Sequence, residues 1–177
     1  MKQILLAGFG GQGILFMGKF LTYMGMMSDQ EVSWLPSYGP EMRGGTANCS
    51  VVIAEKRIGS PVVSSPNLLV CMNRPSLDKF EENITVDGLL FCDNSLVDRE
   101  TTRGDISAFN IPATRIASDN GIPKLANIIM LGFVIRHSGI CDMDMAAAVM
   151  KKIVPTGKQE LLDANLKALD VGYNYEA

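Results

Sequence analysis

The sequence predicts an α/β protein with a Rossmann-like, mostly parallel sheet flanked by helices, and with a helical C-terminal part. Three observations predict this class. Short apolar runs of strand length alternate with segments of helical periodicity, as in βαβ units. A glycine-rich sequence lies between the first apolar run and an apolar helix. Toward the C-terminus, the helical patterns carry capping and stop signals.

The N-terminal segment predicts a strand, a loop and a helix. Residues 4–7 are an apolar run, and apolar residues recur at helical spacing from Gln12 to about Met27. This helix is apolar on two faces, so it needs a second covering layer besides its own sheet. That layer is either another part of the same domain or a partner chain.

Four further strands are predicted in the first half of the chain. Their residues are 32–36, 46–54, 68–72 and 89–93. The last two are short, continuous apolar runs of the kind found in parallel sheets, and a helix is predicted between them from about Arg74. Asp93 begins a polar sequence that marks the C-terminal edge of a strand, where ligands of open α/β sheets bind.

The C-terminal part predicts three helices. Asp119 resembles a helix cap with Pro123 in the first turn, and Gly139 is a stop signal. The other two helices are predicted at residues 143–153 and 158–169.

Two polar residues stand out in the first of these helices. Asn127 lies in an apolar stretch, so its amide either bonds a neighbouring loop or faces solvent. His137, the single histidine, falls in the last turn, where the helix dipole favours a cation, and it is expected to cap the helix or face solvent.

Composition excludes several classes of protein. A length of 177 residues without a linker predicts a single domain over residues 1–177. The net charge of −3 argues against a nucleic-acid surface. The longest apolar stretch, residues 128–135, is shorter than the ~20 residues of a membrane helix, and no signal peptide is evident, so a cytoplasmic location is expected.

The cysteine spacing indicates whether this chain holds a metal or an iron–sulfur cluster, and the apolar content indicates whether it packs against a partner chain. Cys49, Cys71, Cys92 and Cys141 are too far apart for metal or iron–sulfur motifs, so no metal site is predicted and reduced, buried thiols are expected. Hydrophobic residues make up 47% of the chain and charged residues 20%, which favours apolar surface buried against another chain.

The first glycine-rich loop is a candidate anion site. Gly8, Gly10 and Gly13 match the G-x-G-x-x-G pattern, and Gly11 is a further position without a Cβ. These glycines permit a tight turn, close approach of a phosphate and close packing of helix on strand. The alternative is that they are turn glycines alone. No acidic residue follows the strand at residues 32–36, so the ribose half of a nicotinamide site is missing.

The second loop, residues 37–46, carries a cation, a carboxylate and a phenol among turn formers. Its candidate residues are Ser37, Tyr38, Gly39, Glu41, Arg43, Gly44, Gly45 and Thr46. Glycine and proline fix the backbone, which allows Arg43 to be aimed at a phosphate or carboxylate. An ordinary surface loop with a Glu–Arg pair is the alternative.

Together, the sequences of residues 7–13 and 37–45 closely resemble the gamma subunit, or gamma domain, of the 2-oxoacid:ferredoxin (2-oxoacid:acceptor) oxidoreductases. The resemblance implies a subunit, inactive alone, of an enzyme that oxidatively decarboxylates a 2-oxoacid to an acyl-CoA and passes electrons to ferredoxin. It implies alpha, beta and ferredoxin-like delta partner subunits. It also implies that these partners hold thiamine diphosphate and iron–sulfur clusters.

Within that resemblance, Gly8, Gly10, Gly11, Gln12 and Gly13 are expected to hold a phosphate of coenzyme A. The second loop is expected at a subunit interface or active site, with no catalytic residue assigned. The compact chain fits 2-oxoglutarate or 2-oxoisovalerate enzymes by analogy. Two alternatives remain open: a structural assembly subunit without a ligand, and a free-standing nucleotide-binding or flavin-binding protein.

Overall fold

A computed structural model describes residues 1–37 and 46–176, except for the side chain of Thr46. The described strands are β1 (Lys2–Phe9), β2 (Glu31–Ser37), β3 (Thr46–Ala54), β4 (Leu68–Cys71), β5 (Leu89–Asp93) and β6 (Ser107–Ile111). The described α-helices are α1 (Ile14–Met27), α2 (Arg74–Phe80), α3 (Ala113–Asp119), α4 (Ala126–Ser138), α5 (Met143–Ile153) and α6 (Gln159–Tyr173). The six strands and the first three α-helices are therefore interspersed in the first two thirds, and the C-terminal part is helical, as predicted.

The sheet is mixed, with the strand order β2-β3-β1-β4-β5-β6. Neighbouring strands from β1 through β4 and β5 to β6 are parallel, which confirms the Rossmann-like half. The exception is β3, which lies antiparallel between β1 and β2. This strand separates β2 from β1 by two strand spacings, about 10 Å. In a dinucleotide-binding fold, the end of the second strand lies beside the glycine loop. Here β3 separates the end of β2 from that loop.

The two faces of the sheet are covered by different helices. In β1, Ile4 and Leu6 belong to a core cluster with α1, α4, α5 and α6. Leu5 points to the opposite face, where it belongs to a smaller cluster with Leu77 of α2 and Val97. This alternation is the period of two expected for a strand buried on both faces.

Helix α1 is enclosed within the chain. It packs against β2 and β3 on one side and against α5 and α4 on another, and Phe20 is fully buried. Gly18 allows the close approach to the sheet, because a Cβ there would lie 2.7 Å from Trp34 Nε1. The second apolar face of α1 is thus covered largely by the chain's own helices.

Two features of the C-terminal half differ from the prediction. Asp119 is the last residue of α3 and not the cap of α4, which begins after a short 3₁₀ turn, Pro123–Leu125. Neither β6 nor α3 was predicted, because β6 is a partly exposed edge strand without an apolar run. Gly139 does end α4, with a φ of 59°.

The apolar stretch at residues 128–135 lies in α4, whose side chains there are buried in the core. The helix has 13 residues, and within residues 1–37 and 46–176 no helix is long and apolar enough to cross a membrane.

Candidate functional site

The glycine loop connects the C-terminal end of β1 to the start of α1. Gly10 and Gly11 lie in a turn that the Gln12 N–H closes by donating to the Phe9 carbonyl at 3.2 Å. Gly11 and Gly13 have φ values of 94° and 75°, in the left-handed region that favours glycine. A Cβ on Gly11 would meet no atom within 4 Å, so the space beside the loop is open.

The side chain of Gln12 fixes the loop to the end of β4. Its Nε2 donates to the Met72 carbonyl at 2.9 Å, while its Oε1 accepts from the Phe9 N–H at 2.6 Å and from Asn73 Nδ2 at 3.1 Å. Both the nitrogen and the oxygen of the Gln12 amide therefore form hydrogen bonds within the protein. An anion at this loop would contact backbone N–H groups at the helix start, which lack intrahelical partners.

Asn127 of α4 holds the other side of the loop. It is buried, and its Nδ2 donates to the Gly13 carbonyl at 3.3 Å. A Cβ on Gly13 would overlap the Asn127 amide, with Cγ only 2.7 Å away. Of the two alternatives for Asn127, the loop contact is therefore the correct one.

A cavity of about 170 Å³ opens beside the loop at the C-terminal edge of the sheet. Its lining includes Gly11, Gln12, Met72, Thr114, Lys124 and Asn127. Lys124 is exposed, and no carboxylate in the described ranges forms an ion pair with it. The cavity thus combines a helix N-terminus with a cation that has no counter-ion, which suits a phosphate or carboxylate.

Asp93, predicted at a ligand-binding edge, instead supports the local structure. One carboxylate oxygen accepts from the N–H and hydroxyl groups of Thr114, at 3.0 and 2.5 Å, at the start of α3. The other accepts from the Ser95 N–H at 3.1 Å. Because Asp93 is fully buried behind Thr114, it shapes the cavity wall without lining the cavity.

Of the second loop, only Ser37 and the backbone of Thr46 belong to the described residues. Tyr38, Gly39, Glu41, Arg43, Gly44 and Gly45 lie outside them. Ser37 pairs with Asn48, and Thr46 pairs with Phe9, the residue at which β1 ends. Both ends of the segment therefore lie at the sheet edge that carries the glycine loop.

The cysteines and the histidine do not line this cavity. Burial raises the pKa of the Cys49 thiol to about 11 and that of Cys141 to about 11, and it raises the pKa of Cys71 well above its usual value. Burial and then the Arg136 charge lower the pKa of His137, which packs on Phe133. No group of three potential metal ligands occurs in the described part of the chain.

A family model described as pyruvate ferredoxin/flavodoxin oxidoreductase matches residues 3–175. This chain belongs to that family. The match confirms the resemblance that the two glycine-rich sequences indicate, and it extends that resemblance over nearly the whole chain.

Two relatives of this chain differ in length. Ketoisovalerate oxidoreductase subunit VorA of Methanothermobacter thermautotrophicus is 37% identical over 172 residues, which cover 96% of this chain and 35% of VorA. The 2-oxoglutarate synthase subunit KorC of Methanocaldococcus jannaschii is 37% identical over 175 residues, covering 97% of this chain and 92% of KorC. The chain thus spans about a third of VorA and nearly all of KorC.

Solved structures share the fold. The gamma subunit of a keto/oxoacid ferredoxin oxidoreductase from Geobacter sulfurreducens has a TM-score of 0.83 at 24% identity, covering 98% of this chain and 96% of its own. A 2-oxoglutarate:ferredoxin oxidoreductase from Magnetococcus marinus, solved with 2-oxoglutarate, coenzyme A and succinyl-CoA bound, has a TM-score of 0.85 at 22% identity. The alignment covers 97% of this chain and 30% of that one.

Sequence reasoning missed part of the cavity. Lys124 and Thr114 were not predicted as site residues. Lys124 follows Pro123 in the first turn of a predicted helix, and Thr114 lies two residues after Pro112, at the start of α3. The available signal for Lys124 was its position in the turn before Asn127, a residue that the sequence did single out.

Proposed function

We propose that this chain is the gamma-type subunit of a multi-subunit 2-oxoacid:ferredoxin oxidoreductase, in which residues 1–177 form one domain and the glycine loop holds a phosphate of coenzyme A. The observation that carries the proposal is the cavity beside Gly11, which is lined by the start of a helix and by Lys124, a cation without an ion-pair partner among the described residues. Family membership supports the oxidoreductase assignment. The coenzyme A in the Magnetococcus marinus structure supports the choice of ligand.

In the proposed reaction, a 2-oxoacid and coenzyme A give an acyl-CoA and carbon dioxide, and the electrons pass to ferredoxin. Thiamine diphosphate and iron–sulfur clusters, on alpha, beta and delta subunits, would supply decarboxylation and electron transfer. This chain would orient coenzyme A and help to exclude water, acting only within the complex. The VorA and KorC relatives favour 2-oxoisovalerate or 2-oxoglutarate as the substrate.

Coenzyme A binding is tested by a matched pair of glycine variants. Gly11→Ala places a methyl group in the cavity mouth, whereas Gly139→Ala lies at the end of α4, and both have a positive φ and open space around a Cβ. Each is expected to lower the free energy of unfolding by about 1 kcal/mol. In calorimetric titrations, Gly11→Ala alone should weaken coenzyme A binding, by at least about tenfold.

The outcomes separate the alternatives. If the unaltered chain takes up no coenzyme A and Gly11→Ala leaves the coenzyme A requirement of the assembled complex unchanged, the chain is an assembly subunit without this ligand. Equal affinities for both variants would place the ligand elsewhere. A bound flavin, visible as colour, or a preference for NAD would favour a free-standing nucleotide-binding protein.

The second loop is proposed to contact a partner subunit close to the thiamine diphosphate site. Its two ends lie at the same sheet edge as the glycine loop, which supports the proposal. Arg43→Ala should reduce turnover of the assembled complex or raise its coenzyme A requirement while the fold stays intact. Arg57→Ala, an exposed arginine after β3, is the control. Unchanged kinetics and assembly for Arg43→Ala would contradict this role.

A further inference from the structure

A cavity of about 300 Å³ lies at the sheet edge opposite the glycine loop. Its walls include Lys2, Leu68 and Leu89, near the starts of the parallel strands β1, β4 and β5. Leu68 pairs with Ile4 on one side and with Leu89 on the other. Lys2 lies two residues before Ile4, so its side chain projects from the same face of the sheet. The cavity therefore sits under the helices that cover this face, at the N-terminal ends of the strands.

Two opposite charges line this cavity without pairing. Lys2 reaches it from β1, and Asp87 reaches it from the turn before β5. Within residues 1–37 and 46–176, neither side chain forms an ion pair or a hydrogen bond. The cavity thus offers a cation and an anion that a single ligand could satisfy together.

The charge of Lys2 is not balanced by its surroundings. Burial lowers the pKa of its ammonium group, and an interaction with the Cys141 thiol opposes this effect. That thiol is uncharged at neutral pH, because burial and then Asp142 raise its pKa to about 11. An anion beside Lys2 would therefore stabilise the charged form of the lysine.

Asp87 is held in place by its turn. Its N–H donates to the Asp105 carbonyl at 2.8 Å, and the N–H of Gly88 donates to the Thr85 carbonyl at 2.9 Å. The φ of Asp87 is 60°, in the left-handed region that few residues other than glycine adopt. The backbone that carries this carboxylate is therefore fixed at the cavity wall.

The C-terminal end of α4 lies on the Asp87 side of the cavity. His137, in its last turn, packs on Phe109 of β6, with ring centroids 4.8 Å apart, and β6 is the neighbour of β5. Ser138 lines the cavity, but its hydroxyl already donates to the Val134 carbonyl at 2.6 Å. Because a helix C-terminus favours cations, this side of the cavity suits a positively charged group.

Aliphatic side chains complete the walls. Leu68 is buried, and Leu89 and Ile140 are partly buried and pack against the main core cluster. An inorganic ion would satisfy only one of the two charges and would leave this apolar surface uncovered. A zwitterion with an aliphatic side chain matches all three features.

We propose that this cavity binds a free amino acid with an aliphatic side chain. The Lys2 ammonium group pairs with the carboxylate of the ligand. The ammonium group of the ligand lies between Asp87 and the C-terminal end of α4, and its side chain packs on Leu68, Leu89 and Ile140. The proposal does not rest on coenzyme A binding, since this cavity and the one beside the glycine loop share no lining residue in the described part of the chain.

Three ligands that differ by one charged group test the proposal. NMR titrations of the full chain, purified with a C-terminal tag that leaves Lys2 unaltered, would use L-leucine, its 2-oxoacid and isoamylamine. L-leucine should bind with a Kd of about 1 mM or below and shift the amide signals of residues 67–68, 87–89 and 138–140. The 2-oxoacid lacks the ammonium group and the amine lacks the carboxylate, so each should bind at least about tenfold more weakly.

Two variants remove the charges of the cavity one at a time. Lys2→Met keeps an aliphatic stem, and Asp87→Asn keeps a side chain that tolerates a φ of 60°. Each should weaken L-leucine binding by at least about tenfold. The matched controls are Lys56→Met, at an exposed lysine, and Asp29→Asn, at a residue with a φ of 53°. Neither control lines the cavity, so both should retain the affinity of the unaltered chain.

Several results would overturn the amino acid site. Equal affinities for L-leucine and its 2-oxoacid would reduce it to a carboxylate site, and absence of saturable L-leucine binding would remove it. Unchanged L-leucine affinity in both Lys2→Met and Asp87→Asn, or signal shifts confined to the glycine loop, would place the ligand elsewhere. Coenzyme A affinity is measured separately, so failure of this site would leave the proposed function intact.

Discussion

Gln12 and Asn127 hold the glycine loop from two sides. Gln12 joins the loop to Met72 at the end of β4, and Asn127 joins Gly13 to α4. Both amides bond backbone atoms, so they set the shape of the loop and leave its helix N-terminus for a ligand. At the residue scale, the proposed anion binding would therefore depend on backbone geometry that these two side chains maintain, with Lys124 as the added charge.

This arrangement predicts the effect of Gln12→Ala. Three hydrogen bonds to Phe9, Met72 and Asn73 are lost, so the free energy of unfolding should fall by about 2 kcal/mol. Coenzyme A affinity should fall as well, because the loop is no longer fixed. Chemical denaturation and calorimetry measure the two effects. The control is Gln30→Ala, since the Gln30 side chain forms no hydrogen bond within residues 1–37 and 46–176, and equal behaviour of both variants would contradict the role of Gln12.

At the scale of elements, the position of α4 depends on how closely α6 approaches it. Gly132 of α4 lies against the backbone of Leu169, and Gly172 of α6 lies against the backbone of Ile129. Such close contact leaves no room for side chains at the crossing. Because α4 also carries Asn127, this crossing fixes the helix that supports the glycine loop.

Gly132→Ala should disrupt the crossing. A methyl group there would overlap the Leu169 carbonyl and lie 2.8 Å from the Tyr173 nitrogen, and backbone atoms cannot move aside cheaply. We expect the free energy of unfolding to fall by about 3 kcal/mol in denaturant titrations. Gly104→Ala, which meets no atom within 4 Å, should be near neutral. A neutral Gly132→Ala would show that the helices are farther apart.

The same scale shows what the sequence could predict. The strand predicted at residues 46–54 has the same bounds as β3, because its apolar positions alternate with polar ones. The antiparallel position of β3 between β1 and β2 was not predictable, since periodicity reports burial and not pairing partners. Similarly, the glycine pattern predicted the position of the loop. Lys124 lines the cavity only because α4 packs against the glycine loop, and the sequence pattern does not report that packing.

At the scale of the whole molecule, one sheet edge carries the glycine loop and both ends of the segment that holds the second glycine-rich sequence. The glycine loop and Thr46 lie at the C-terminal end of β1, Ser37 ends β2 at the same edge of the sheet, and the cavity lined by Gly11 and Lys124 opens beside the loop. In the proposed function, this edge would position coenzyme A, and partner subunits would carry out decarboxylation and electron transfer.

Purification of the tagged chain from its native cells tests this central claim most directly. Thiamine diphosphate content and 2-oxoacid-dependent reduction of ferredoxin are measured on the isolated material, with and without coenzyme A. The account predicts a complex that contains thiamine diphosphate and reduces ferredoxin only when both a 2-oxoacid and coenzyme A are present. Recovery of the chain alone, without thiamine diphosphate and without this activity, would contradict it.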